Sequence, residues 1–352
     1  MTGVLHYART PWLSITLGAS VAWFVAVRIY YWIKPLLPTW LRLRVRRWWA
    51  KRTRTRCHGE WPILISAGVA PEGWAGWPDQ NKFALVLTHD VESGRGLERV
   101  KALAELEISL GFRSAFNFIP EGAYRVPKEL RHWLTDRGFE VGVHDHRHDG
   151  HLYRSRSHFL TSATRINSYL KEWGAVGFRS GFMFHNLEWL HDLEIAYDAS
   201  TFDTDPFEPQ PDSAKTIFPF WVNGRAGGGY VELPYTLVQD STLFVMLQEK
   251  TTDIWKNKLD WIAAHGGMAL LNIHPDFTAF DAYRRGIDEF HVTHYAEFLS
   301  WVKDAYRGRY WQALPREVAA FYRMQMRPAD ARTASYAGIE VCNDELAPMN
   351  TN

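Results

Sequence analysis

The alternation of short, apolar runs with segments of helical periodicity constrains the fold of this chain most strongly. Phe83–Leu87 is apolar at every position, and Met268–Ile273 is apolar except for one asparagine. Such runs are typical of strands that are buried on both faces of a parallel sheet. Between them lie segments such as Leu97–Leu106, where apolar residues recur at helical spacing before a glycine. The pattern predicts an α/β fold of parallel βα units, either open or wrapped into a barrel.

Composition limits the classes of function. The chain has 352 residues, 46% of them hydrophobic, which suffices for a large globular core. Forty Lys and Arg against 39 Asp and Glu give no overall basic excess, so we expect no nucleic-acid partner. The two cysteines, Cys57 and Cys342, lie near opposite ends and form no disulfide framework, which fits a reducing compartment.

The two ends of the chain differ from its body. Trp12–Ile33 is 22 residues long with a single charge, and the stretch from Lys34 to Arg56 holds nine Lys or Arg and no acidic residue. We therefore predict that residues 1–57 form a membrane-associated segment that spans the bilayer or lies on it, with the basic run on anionic headgroups. The positive-inside rule then places the large C-terminal domain, residues 58–327, on the cytoplasmic side. The alternative is a helix packed on that domain. Residues 328–352 are polar and are expected to be disordered.

One stretch concentrates metal-ligating residues. Glu140–Gly150 begins as a strand-like apolar run and ends in three histidines and two aspartates. His144 and His148 are four residues apart, a spacing that brings two imidazoles together in a turn, and imidazole with carboxylate suits a zinc-class ion. Taken alone, the stretch is equally well read as a polar surface loop.

Other predicted strands also end in residues that bind metals or transfer protons. In a barrel of parallel strands all carboxyl ends meet on one face, so residues far apart in sequence converge there. The candidates at the five strand ends are Asp90 and Glu92; His144 and His148; Arg179; Asp198 and Asp203; and His274. Residues 200–230, rich in Pro, Asp and Gly, are expected to be a long loop.

These motifs, in this order over residues 80–320, resemble the polysaccharide deacetylase (NodB-homology, carbohydrate esterase 4-like) superfamily. The matching segments are Asp90–Glu92, His144–His148, Phe178–Arg179, Tyr197–Asp198 and Leu271–Pro275. The resemblance implies a distorted (β/α) barrel. It also implies a metal-dependent amide or ester hydrolase that usually removes acetyl groups from amino sugars. The predicted membrane segment and cytoplasmic side add the expectation of a lipid- or nucleotide-linked precursor of a surface glycan as substrate.

The resemblance also assigns residue roles. The implied cofactor is a divalent metal ion, zinc or another such as cobalt. The implied roles are metal ligands Glu92, His144 and His148; general base Asp90; general acid or oxyanion stabiliser His274; Arg179 to orient the base; and substrate contacts Asp198 and Asp203.

Three departures from the family pattern leave alternatives open. Val91 separates Asp90 from an acid that is Glu92, so the roles of base and metal ligand are reversible between them. Gly181 stands where the family usually has proline, and His146 offers other ligand pairings, although we expect it to be a surface residue. The competing interpretations are a non-catalytic glycan-binding or scaffold protein on the same fold, and a hydrolase of a non-sugar amide.

Overall fold

The computed structural model describes residues 38–326, except for residues 211, 225–227 and 282–284. The predicted membrane segment Trp12–Ile33 and the polar tail at 328–352 lie outside the described residues. Within the described part of the chain, no helix combines the length and apolar character needed to cross a bilayer.

Helices and strands alternate along the chain as the sequence predicts. The helices are α1 Thr39–Arg56, α2 Gly94–Leu110, α3 Lys128–Thr135, α4 Arg156–Trp173, α5 Asp253–His265, α6 Thr293–Ala305 and α7 Pro315–Met326. The strands are β1 Phe83–Val91, β2 Ala115–Phe118, β3 Glu140–His144, β4 Gly177–Arg179, β5 Tyr197–Asp198, β6 Phe220–Asn223, β7 Gly229–Glu232, β8 Met268–Ile273, β9 Thr278–Ala279, β10 Phe290–His291 and β11 Tyr310–Ala313. A π-helical segment covers Ser241–Met246.

The main sheet is curved into an incomplete barrel. Strands β8, β1, β2, β3, β4, β5 and β7 are paired in that order and run parallel, and β6 is antiparallel to β7. The amides of Thr236 and Leu237, just after β7, both donate to the carbonyl of Leu270 in β8. These two bonds join the two ends of the parallel set, so the carboxyl ends of its strands meet on one side. The predicted α/β class and the barrel-like curvature are confirmed, but β6 breaks the uniform parallel pattern.

The period-two alternation of β1 explains how it delivers a functional side chain. Phe83, Leu85 and Leu87 belong to the same apolar cluster as residues of α2. Ala84 and Val86 belong to a second cluster with residues of β5, β7, β8 and α7, inside the curved sheet. Continuing the alternation places Asp90 on that inner face and His89 on the outer one. His89 is buried there against Glu107 of α2, as expected for a packing residue.

Three local features differ from the sequence-based expectation. Strand β1 continues to Val91, past the apolar run, because β8 and β2 hydrogen-bond its polar end on both sides. Strand β6 lies within the predicted 200–230 loop as an antiparallel edge strand. Strand β11 was not predicted, and it pairs with the first half of β1.

Helix α1 packs on the barrel through one side. Leu43 and Ala50 are buried, and Trp49 lies edge-on to Phe207. Arg47 donates to the carbonyl of Val245 in the π-helical segment at 2.9 Å. The basic stretch therefore forms a helix that is fixed to the domain along one face.

Candidate metal centre

Three side chains that the sequence predicted as metal ligands converge at the carboxyl ends of β1 and β3. Glu92 directly follows β1, His144 is the last residue of β3, and His148 lies in the following loop. One ligand atom from each lies within 4.8 Å of the others. At this spacing, one ion can bind to all three side chains.

His144 is oriented for ligation by its backbone neighbour. Its Nδ1 lies 3.0 Å from the carbonyl oxygen of Arg179. A carbonyl only accepts, so Nδ1 carries the hydrogen and Nε2 presents its lone pair. That Nε2 is buried without a hydrogen-bond partner, 4.0 Å from Oε1 of Glu92.

The loop that carries His148 is held in an unusual backbone conformation. Both Asp145 and His148 have positive φ, 57° and 55°. Asp145 fixes the turn by accepting from the amides of His146 and Gly181. The imidazole of His148 stacks on Phe182 with ring centres 4.4 Å apart. The turn thereby brings the second imidazole back toward the first.

His148 faces the carboxylate. Its Nε2 is 3.2 Å from Oε1 of Glu92, yet it lacks the alignment of a hydrogen bond. Burial alone would lower the pKa of His148, but Glu92 and two aspartates nearby raise it above its usual value. Burial likewise opposes ionisation of Glu92, but the histidines hold its pKa well below the usual range.

Gly181 explains one departure from the family pattern. A Cβ at this position would lie 2.4 Å from Oδ2 of Asp145 and 2.7 Å from Cδ2 of His148. No side chain fits between β4 and the histidine loop in this arrangement, so the proline usual in the family has no room. The glycine allows close approach of the loop to the end of β4.

This donor set suits a divalent ion of the zinc class. Two imidazole nitrogens and a carboxylate oxygen are a common three-ligand set that leaves further coordination positions open. The two buried Nε2 atoms without hydrogen-bond partners would otherwise be unsatisfied polar groups. A cation between them and Glu92 satisfies both, so the residues present fit a metal.

Asp90 stands beside the triad in a dense network of donors. Its carboxylate accepts from the side-chain amides of Asn117 at 2.9 Å and Asn272 at 2.8 Å. Nη1 of Arg179 lies 3.3 Å from it, and both residues are buried. Burial opposes the charge, but Arg179, His144, His274 and Asn117 outweigh it and hold the pKa of Asp90 far below its usual value. The structure thus places Arg179 where the resemblance implies, against the predicted base.

His274 is paired with an aspartate that the sequence interpretation missed. Its Nδ1 is 2.7 Å from Oδ1 of Asp240, whose Oδ2 accepts the amide of His274 at 2.8 Å. Burial lowers the pKa of His274, but Asp240, Glu92 and Asp90 raise it to about 10. Nε2 of His274 points toward the triad, 3.8 Å from Oε1 of Glu92. Asp240 gave no signal in the sequence because no strand pattern leads to it; it precedes the π-helical segment.

Asp276 is a second residue that the sequence interpretation missed. Its Oδ2 accepts the backbone amide of Glu92 at 2.9 Å, and its Oδ1 accepts the hydroxyl of Ser93, which caps α2. A Cβ on Gly96 would lie 2.2 Å from Oδ2 of Asp276, so a glycine is needed there. The carboxylate ties the segment after β8 to the residue that presents the metal carboxylate.

The remaining predicted residues lie apart from the triad. Asp198 and Asp203, expected to contact substrate, are fully buried with protein partners. Asp198 accepts from Ser200, and Asp203 forms an ion pair with Lys258 at 2.9 Å. No surface is left on either carboxylate for a substrate in this conformation. His146, expected at the surface, is instead buried, with Nε2 3.1 Å from Glu121, because the turn at Asp145 directs it away from the triad.

Comparison with known proteins supports the fold. No family model matches the chain, and no curated protein matches it. Among solved structures, a protein assigned as a polysaccharide deacetylase from Mycobacterium smegmatis matches with a TM-score of 0.54 and 17% identity, over 73% of this chain and 96% of the other. Another assigned as a polysaccharide deacetylase, from Pseudomonas aeruginosa PAO1, gives 0.50 and 16%, over 72% and 94%. Puue allantoinase gives 0.54 and 16%, over 76% and 99%. The predicted resemblance to polysaccharide deacetylases is confirmed for the fold.

Proposed function

We propose that this protein is a metal-dependent hydrolase that removes an N-acyl group, acetyl in the first instance, from an amino sugar in a glycan or glycan precursor. The observation that carries the proposal is the cluster of Glu92, His144 and His148, with ligand atoms within 4.8 Å and two imidazole nitrogens lacking hydrogen-bond partners. Two pairs suited to proton transfer adjoin this cluster: Asp90 with Arg179, and His274 with Asp240.

The two pairs have different roles in amide hydrolysis. An ion held by Glu92, His144 and His148 would polarise the acyl carbonyl and lower the pKa of a water molecule. Asp90 stays ionised, so it accepts a hydrogen bond from the attacking water and takes its proton as the bond to carbon forms. Because its pKa is low, Asp90 is a weak base in isolation. We therefore assign it two roles: it orients the water molecule and it takes up the proton.

His274 supplies the opposite proton transfer. Asp240 holds Nδ1, so Nε2 is the atom directed at the substrate side. Burial lowers the pKa of His274, but Asp240 raises it above the usual value, so the imidazole can hold a proton and donate it to the departing nitrogen. The amine leaves neutral, and the carboxylic acid is the second product.

The same proposal includes a place of action. The sequence of residues 1–57 supports a membrane-associated protein whose catalytic domain lies on the cytoplasmic side. Lipid-linked or nucleotide-linked amino-sugar precursors are the substrates that such a location favours.

An acyl-release screen tests the proposal. Full-length protein, loaded with zinc or cobalt, is incubated with N-acetyl and N-formyl amino-sugar donors, and liberated acid is measured. We expect release by the loaded protein, none after chelation, and at least about a hundredfold loss for Asp90→Asn with metal still bound. Metal-loaded protein that binds glycans but releases no acid would support the non-catalytic interpretation.

A non-sugar amide is the second candidate. The match to Puue allantoinase equals that to the mycobacterial protein in TM-score, at 0.54. The screen therefore includes allantoin as a small heterocyclic amide. Hydrolysis of allantoin without release from any amino sugar would favour this candidate.

A further inference from the structure

The outer side of helix α1 combines exposed aromatic and basic side chains. Trp40, Val45 and Trp48 are 52%, 48% and 62% exposed, although large apolar side chains are usually covered. Arg44, Lys51 and Arg52 are exposed on the same side. At 100° per residue all six fall within one sector of about 140°. We call these six residues the outer face: Trp40, Arg44, Val45, Trp48, Lys51 and Arg52.

The opposite side of α1 holds the helix to the barrel, so the outer face has a fixed direction. Leu43 and Ala50 are buried, and they fall opposite the outer face around the helix. Arg47 donates to the carbonyls of Val245 at 2.9 Å and Ile287 at 2.8 Å, and Arg54 forms an ion pair with Glu249. These contacts fix the orientation of α1 on the barrel, and the outer face stays exposed in the described part of the chain.

The chemistry of the outer face matches an anionic lipid surface. Tryptophan partitions to the boundary between headgroups and acyl chains, and each Lys or Arg near an anionic leaflet adds attraction. Helix α1 contains no acidic residue that would oppose this. The apolar stretch that ends at Ile33 precedes Thr39, the first residue of α1, by only a few positions in the sequence. A protein partner would need a groove that is both apolar and acidic. An anionic bilayer offers an apolar layer for the tryptophans and negative headgroups for the basic side chains.

We propose that the outer face of α1 docks on an anionic lipid surface and orients the catalytic domain on it. Arg47 anchors α1 to Val245, and Asp240, at the start of the same π-helical segment, holds His274. The helix that carries the outer face therefore contacts the segment that supports the candidate metal centre. This inference deepens the proposed membrane association of residues 1–57 and rests on it, but it is independent of the proposed hydrolysis.

A position-specific fluorescent label tests the docking. Val45→Cys in full-length protein carrying Cys57→Ala and Cys342→Ser is labelled with an environment-sensitive dye. Leu160→Cys, at an exposed apolar position of α4, is the matched control. Vesicles of phosphatidylcholine alone are compared with vesicles that also contain phosphatidylglycerol, at low and high salt.

The expected result is a blue shift and brightening of the label at residue 45 on phosphatidylglycerol vesicles, weakened by high salt, with no change at residue 160. Arg44→Glu with Arg52→Glu should abolish the shift, whereas Lys128→Glu with Lys171→Glu, the same charge change on α3 and α4, should preserve it. A label at residue 45 that stays in water while the protein sediments with the vesicles would overturn the proposal. A shift that is equal on both lipid compositions would overturn it too.

Discussion

Replacing Gly181 by alanine tests whether the histidine loop is packed as tightly against β4 as the structure shows. The added Cβ would lie 2.4 Å from Oδ2 of Asp145 and 2.7 Å from Cδ2 of His148, where ordinary contacts begin at 3.4 Å. Gly181 is outside the left-handed region, so the change acts through space and not through backbone strain. The Asp145 carboxylate must retreat by about 1 Å to relieve the overlap.

Two consequences follow from that displacement. The bond from the Gly181 amide to Asp145, 3.1 Å long, is lost, and an unsatisfied buried donor costs about 1–3 kcal/mol of stability. Asp145 also holds the turn that presents His148, so the metal site loosens. Changes to groups that orient a ligand typically weaken metal binding about tenfold to a hundredfold.

The assay is zinc affinity by chelator competition, together with urea unfolding of the metal-free protein. The matched control is Gly59→Ala, where a Cβ meets nothing within 4 Å and φ is also ordinary. We expect Gly181→Ala to lose both affinity and stability and Gly59→Ala to lose neither. Unchanged zinc affinity and unchanged stability in Gly181→Ala would refute the described packing of the loop.

Three further predictions concern neighbouring groups. Asp90→Asn should retain zinc but lower the rate of acyl release about 10²–10⁴-fold, and loss of zinc by this variant would reassign Asp90 as a ligand. Asp276→Ala should weaken zinc binding about tenfold because the Glu92 amide loses its acceptor. Asp276→Asn keeps an acceptor and should bind zinc like the wild type. Equal zinc affinities of the two variants would exclude this positioning role. Burial raises the pKa of Glu140 to about 7, so the folded state holds its proton more tightly than the unfolded chain does. The stabilisation is present below the unfolded pKa, near 4.5, and is lost as the pH rises through 7, by up to about 3 kcal/mol. In urea unfolding, the free energy of unfolding of Glu140→Gln should rise relative to that of the wild type between about pH 4.5 and 7. A constant difference between the two proteins would contradict the buried, protonated Glu140.

The parts of the fold that local pattern encodes were predictable. Apolar runs and helical spacing identified β1, β3 and β8 and the helices between them, because those strands are buried on both faces. Strand β11, Tyr310–Ala313, was not predicted because its first three residues are only partly buried and the strand depends on pairing with β1. Strand β6 was not predicted for the same reason, because it depends on pairing with β7.

The residues of the candidate site likewise fall into two groups: those that a local sequence pattern signals and those that it does not. Glu92, His144 and His148 were predictable because metal-ligating residues follow apolar strands, and the structure brings them together. Asp240 and Asp276 act through hydrogen bonds to residues 34 and 184 positions away, which no local pattern signals. The burial of Asp198, Asp203 and His146 was equally hidden in the sequence.

Zinc-edge X-ray absorption on the full-length protein, reconstituted with one equivalent of zinc, tests the central claim most directly. We expect one tightly held ion with two imidazole nitrogens and a carboxylate oxygen as protein ligands. His148→Ala should lose one imidazole from the spectrum, and His146→Ala should leave it unchanged, because His146 faces Glu121. Failure to bind zinc, or a spectrum that His148→Ala does not alter, would contradict the proposed metal site.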